Sequence, residues 1–155
     1  MGEAAELADQ YDAVMSEVVA TAEACSDDEW SAQCPNDERT VGVVFDHIAD
    51  GNPEVLRWIK TFLGDKPVEI TPEILTERNA DHARRVKHRP KQATIDDLKR
   101  SAVHTSSALR ALSENELRVS QDFGWAGRRD VAWVASAAVR HPRGHLKNIN
   151  EALGR

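Results

Sequence analysis

The sequence predicts an all-α protein: an antiparallel bundle of four or five helices with short extra helical turns, one domain spanning residues 1–155. Three observations carry this. Apolar residues recur at spacings of three and four in four long segments, the period of helices with one buried face. The segments are joined by short polar connections that hold helix-start signals. No stretch of useful length alternates with period two, so no half-buried strand is expected.

The first helix carries Leu7, Tyr11, Val14, Val18 and Ala22 on one stripe. "SDDEW" at 26–30 follows, with Ser26 three residues before Glu29, the spacing of a capping box that opens a short turn. "CPNDER" at 34–39 is a loop, and Thr40 caps a second helix whose stripe is Val44, Ile48, Val55, Ile59 and Phe62. Gly51 and Pro53 predict a kink inside that helix, which ends near "LGDKP" at 63–67. "TPEI" at 71–74 supplies a cap and a first-position proline for a third, weakly apolar helix running to about Val86. "ATIDDL" at 93–98 starts a fourth, with Thr94 and Asp97 three apart as its start signal and Ile95, Leu98, Ala102, Leu109 and Leu112 inward. "DFGWAG" at 122–127 is a Gly-aromatic loop before a last helix that begins near Asp130.

Composition narrows the function. A formal net charge of -6 argues against nucleic-acid and anionic-membrane partners, since both want a basic face. The one basic run, "HARRVKHRPK" at 82–91, lacks interleaved aromatics that would stack bases and reads as a solvated helix end and loop. Cys25 and Cys34 form neither a CxxC pair nor a disulfide framework, which predicts reduced thiols in a cytoplasmic protein. The acidic start "MGEAAELADQ" is unlike a signal peptide, and no apolar run approaches the length of a membrane span.

The chemistry concentrates in "AAVRHPRGHLKNINEAL", residues 137–153. The stripe Val131, Val134, Ala138, His141, His145, Ile149, Ala152 keeps an unbroken helical phase, so both histidines fall on the core-facing side. Pro142 and Gly144 stand between them, and the phase favours one kinked helix; a Pro-Arg turn closed by Gly144 is the rival reading. Imidazoles at i and i+4 lie on one side of a helix, a spacing used by helical metal sites. His47, on the stripe of the second helix in "TVGVVFDHIADGN", is the candidate third ligand, and Trp58 returns to nearly the same face to wall a pocket. Taken alone, His47 also fits a buried histidine bonded to a backbone carbonyl. His82, His88 and His104 read as surface residues. Asp50 and Asn148, each one turn from a candidate ligand, are placed either to orient an imidazole or a bound water, or simply as exposed helix polars.

With these residues in view, the chain resembles the DinB-like (YfiT-type) superfamily. "RTVGVVFDHIAD" at 39–50 is similar to its helix-two motif, in which a Ser or Thr precedes a metal-binding histidine by seven residues, here Thr40 and His47. "HPRGHLKNI" at 141–149 is similar to its last-helix motif, a histidine pair four apart followed by an amide residue and an aliphatic, here Asn148 and Ile149. "ERNADHARR" resembles its asparagine-bearing segment. Arg39 stands where the family usually has Trp, and Pro142 and Gly144 are unusual inside the ligand turn.

The resemblance implies a four-helix bundle, a homodimer, and a divalent metal held by His47, His141 and His145. It also implies a small-molecule substrate and thiol-dependent chemistry using bacillithiol, mycothiol or glutathione. Three neutral imidazoles leave a coordination position open, as catalytic sites do. Zinc suits three nitrogens best; nickel or iron also binds such a set. The functional expectation is therefore a thiol-dependent S-transferase or a metal-dependent hydrolase, with a non-catalytic metal-binding or protein-interaction bundle as the alternative. No motif marks the catalytic or substrate-binding residues.

Overall fold

The computed structural model describes residues 2–155. Among the described residues there are seven α-helices: α1 (Glu3–Ala24), α2 (Asp27–Trp30), α3 (Val41–Leu63), α4 (Pro72–Val86), α5 (Lys91–Arg110), α6 (Glu114–Leu117) and α7 (Val131–Ala152). Four of them make the bundle. α1 and α3 each pack mainly on α5 and α7, so the ring runs α1–α5–α3–α7. Each of those four helices buries one apolar stripe, and the stripes meet in one core that includes Tyr11, Val18, Val44, Ile48, Phe62, Leu98, Leu109, Val134 and Ile149. At roughly 1.5–3 kcal/mol per fully buried large side chain, this contact holds the bundle together far more than helix propensity does.

The caps fall where the sequence places them. Ser26 and Glu29 form a reciprocal capping box at α2, and Ser113 and Glu116 form another at α6. Thr40 accepts a hydrogen bond from the Val43 amide, and Thr71 accepts one from Ile74 ahead of Pro72. One helix start differs. α5 begins at Lys91 after Pro90, so Thr94 lies inside the helix, and its hydroxyl donates to Asp46 instead of capping.

α7 is continuous from Val131 to Ala152 with Pro142 inside it, which excludes the turn reading of "HPRG". Asp130 caps it through the Trp133 amide, and Gly144 faces open space. The helix tolerates both residues because its buried stripe is packed on two neighbouring helices, which outweighs about 1 kcal/mol for glycine and about 3 for proline.

The expectation of no strand fails at 120–130. A short antiparallel hairpin pairs β1 (Ser120–Phe123) with β2 (Gly127–Asp130) around a single 3-10 turn. Its strands, "SQDF" and "GRRD", are four residues each and nearly all polar, so no alternation marked them. Phe123 is the anchor, with its ring 5.1–5.7 Å from those of Trp58, Trp125 and Trp133. Val68 and Gly124 exchange backbone bonds across to the chain after α3: Val68 N–H donates to Asp122 and Gly124 N–H donates to Val68. Gly124 has φ +39°, and a Cβ there would stand 2.0 Å from the Ile70 carbonyl oxygen. Gly124→Ala is therefore expected to lower stability by about 1–3 kcal/mol, read as the urea midpoint. A wild-type midpoint would show that the hairpin and residues 68–70 are not locked together.

Candidate metal centre

α3 is the central element of the site. Thr40 fixes its first turn, and the seven residues to His47 are close to two turns, which brings His47 onto the face that meets α7. Every residue from Val41 to Ala49 is buried, so His47 stands in apolar surroundings. From α7, His141 and His145 approach one turn apart. His47 Nε2 lies 2.9 Å from His141 Nε2, and the three ring centroids are 4.6–4.8 Å from one another. One ligand atom from each of the three lies within 4.8 Å of the others, a group able to hold a metal ion. Gly51 makes room for this arrangement: a Cβ at that position would be 2.6 Å from His141 Cε1.

All three imidazoles are held neutral. Burial, then the neighbouring His141 and His145, then the Arg39 guanidinium push His47 down to about 2. Burial, His145 and Arg39 take His141 to about 3. Burial and Arg39 take His145 to about 4, with Asp37 opposing. Arg39 is itself clamped by Asp37 through a two-pronged ion pair at 2.7–3.0 Å. Its charge near the cluster is what the departure from Trp at this position brings.

The cluster forms the floor of a cavity of about 920 Å³. Trp58, Val55, Val68, Ile70 and Leu75 give it apolar walls, while Glu54, Arg57, Arg78 and Arg85 stand among the remaining lining residues. Arg57 and Arg78 both pair with Glu54. The pocket expected beside Trp58 is therefore present, and Phe123 packed edge-on against the indole fixes that wall.

The fit to a divalent cation follows from the donors. Three neutral nitrogens with lone pairs, converging from one buried and two half-buried imidazoles, are costly without a partner. Bonds of about 2.0–2.1 Å reach nitrogens up to about 4 Å apart, so small ring rotations close the set on one ion. Such an ion also needs the second nitrogen of each imidazole to carry its proton. His47 Nδ1 is buried with no partner, as that role requires of a donor still to be matched.

The family model of the DinB superfamily matches residues 10–149. The chain belongs to the DinB superfamily. No curated protein and no solved structure matches it. The DinB match spans the bundle from within α1 to near the end of α7 and contains the three histidines. No helix among the described residues is long and apolar enough to cross a membrane.

Two expectations about polar residues are corrected, and the pair of readings left open for Asp50 and Asn148 is narrowed. His82 is not a surface residue: it is 3% exposed, the one fully buried residue of α4, with Nε2 2.9 Å from Asp46 Oδ1. Arg89, from the same basic run, donates to Asp46 Oδ2 at 2.7 Å, so the run is solvated only in part. Asp50 is exposed and Asn148 half-buried, and neither bonds a histidine. The sequence signal for His82 was the stripe Leu75, Asn79, His82, Val86, at spacings of 4, 3 and 4, hidden within a charged helix.

Proposed function

We propose that this DinB-superfamily protein is a metal-dependent enzyme whose His47, His141 and His145 hold one divalent cation. Zinc is the best match to three neutral nitrogens, with nickel or iron also accepted. The observation that carries the reading is the three-histidine cluster at the floor of an open cavity rather than in a closed four-ligand pocket. A cation there supplies electrostatic stabilisation of a deprotonated sulfur or oxygen. The chain supplies the rest. Trp58, Val55 and Leu75 offer apolar contact to the body of a small substrate, and Arg57 and Arg78 offer charge at its polar end.

Of the two reaction classes, thiol-dependent S-transfer is the leading one and hydrolysis the second. The thiol comes from outside the chain. Cys25 and Cys34 are buried, both thiols are pushed up by burial, Cys34 to about 11, and neither lines the cavity. Activity should require added bacillithiol, mycothiol or glutathione, survive Cys25→Ser and Cys34→Ser, and vanish in His47→Ala. Turnover unchanged without any thiol selects hydrolysis. No turnover under either condition selects a non-catalytic bundle.

Gly51→Ala tests the geometry without touching a ligand. Its methyl group displaces the His141 ring, and zinc affinity is expected to fall at least about tenfold, by chelator competition. Unchanged affinity would show that His141 does not contribute. A cytoplasmic homodimer completes the proposal; light scattering that finds only a 17.2 kDa species removes the dimer.

A further inference from the structure

α4 is a charged helix that buries one residue, His82, and that residue reaches α3 beside the metal centre. Asp46 and His47 are consecutive on α3, so their side chains diverge by about 100° around the helix and do not meet each other. Asp46 turns toward α4 and α5. It accepts hydrogen bonds from His82 Nε2 at 2.9 Å, Arg89 at 2.7 Å and the Thr94 hydroxyl at 2.7 Å. His47 turns toward α7. The His82 ring stands between these two directions, 5.8 Å from the His47 ring and inclined 61° to it.

The proton positions then follow in sequence. Asp46, with Arg89 as its ion-pair partner, is a carboxylate and only accepts, so the proton of the His82–Asp46 bond sits on His82 Nε2. A neutral His82 therefore has a bare lone pair on Nδ1. That atom is buried and has no partner. His47 directs Nε2 at the cluster, so for a ligand its proton sits on Nδ1, which is also buried and has no partner. One orphan is a donor and the other an acceptor, on neighbouring rings set at an angle to each other.

We infer that His82 is a positioning residue for His47: it accepts the His47 Nδ1–H at its own Nδ1 and gives its Nε2–H to Asp46. The chain of bonds runs His47, His82, Asp46, and is closed directly by a small ring rotation or through one bridging water. It presents the Nε2 lone pair of His47 to the cluster. It also sets the direction of the 2.9 Å contact to His141, in which His141 Nε2–H donates to His47 Nε2 when no cation is present. Ligating imidazoles characteristically donate their second N–H in this way. The inference rests on the reading of His47 as a ligand, but its first readout needs no metal.

Nitrogen-15 NMR of the metal-free protein reads the tautomer directly. His47 is expected as the Nδ1–H form in the wild type. In His82→Phe, which keeps a ring but no nitrogen, His47 should become a mixture of tautomers, and zinc affinity by chelator competition should fall about 10–100-fold. His82→Lys keeps an N–H donor for Asp46, and so keeps α4 pinned, but its ammonium has no acceptor for His47. It should show the same tautomer and affinity changes, and it carries the test if the Phe variant does not fold. A wild-type His47 found as Nε2–H overturns the proposal. So does a His82→Lys protein with wild-type tautomer and wild-type affinity, which would reduce His82 to a peg for α4. A wild type that binds no zinc, but whose His47 tautomer depends on His82, removes the metal reading and leaves the bond chain standing.

Discussion

His141→Ala and His145→Ala are each expected to abolish the stabilisation that zinc gives the wild-type protein while leaving the metal-free fold almost unchanged. The wild type, with zinc at 100 times its dissociation constant, gains about 2.7 kcal/mol. For a domain of this size that is roughly 5–10 °C in Tm. The metal-free variants lose some packing, but they also remove a half-buried polar ring from a crowded cluster of three imidazoles. These terms oppose each other, so the metal-free Tm should move by only a few degrees. The two effects separate cleanly: a folding defect lowers both curves, whereas ligand loss removes the gap between them. Scanning calorimetry with and without zinc measures that gap. A full zinc-dependent shift in both variants would remove the site.

The histidine cluster was legible because its three residues keep the phase of otherwise apolar stripes. Val44, Ile48, Val55 and Ile59 set the face on which His47 lies, and Val134, Ala138 and Ile149 do the same for His141 and His145. A helical phase survives a proline when the face is packed, which is why α7 could be read through Pro142. What escaped was polar. His82 is buried by hydrogen bonding to Asp46, not by hydrophobic transfer, so a stripe search found only a basic run. The hairpin at 120–130 is held by Phe123 among three tryptophans and by backbone bonds to residue 68, contacts that are long-range and carry no local period. Asp50 carried two readings that a one-turn spacing could not separate: it is exposed, lines the same cavity as the three histidines and hydrogen-bonds none of them.

Acid should destabilise the metal-free protein well above the range where carboxylates titrate. An imidazole in the unfolded chain takes up its proton near 6.5, while in the folded protein His145 resists to about 4, His141 to about 3 and His47 to about 2. Between those limits the unfolded state binds more protons, so stability falls as pH drops through 6.5 and continues to fall to about 2, where the last of the three imidazoles charges in the fold. Each proton contributes a slope of at most about 1.4 kcal/mol per pH unit. Asp46 acts in a separate, lower window. Burial would raise it, but the hydrogen bonds from His82, Thr94 and Arg89 more than offset this and hold it at about 2, so its contribution is present above 3.8 and is lost below that. Urea titrations at pH 7, 6 and 5 should show the decline, and the double variant His141→Ala/His145→Ala should flatten it. Zinc affinity for the folded protein should behave in the opposite way. Its ligands are already unprotonated, so the dissociation constant should hardly change from pH 7 to pH 5, whereas three ordinary imidazoles would cost up to about three decades per pH unit once below their pKa. A zinc affinity that collapses between pH 7 and 6 would mean that the cluster is more solvated than its packing indicates, and that Arg39 does not hold it neutral.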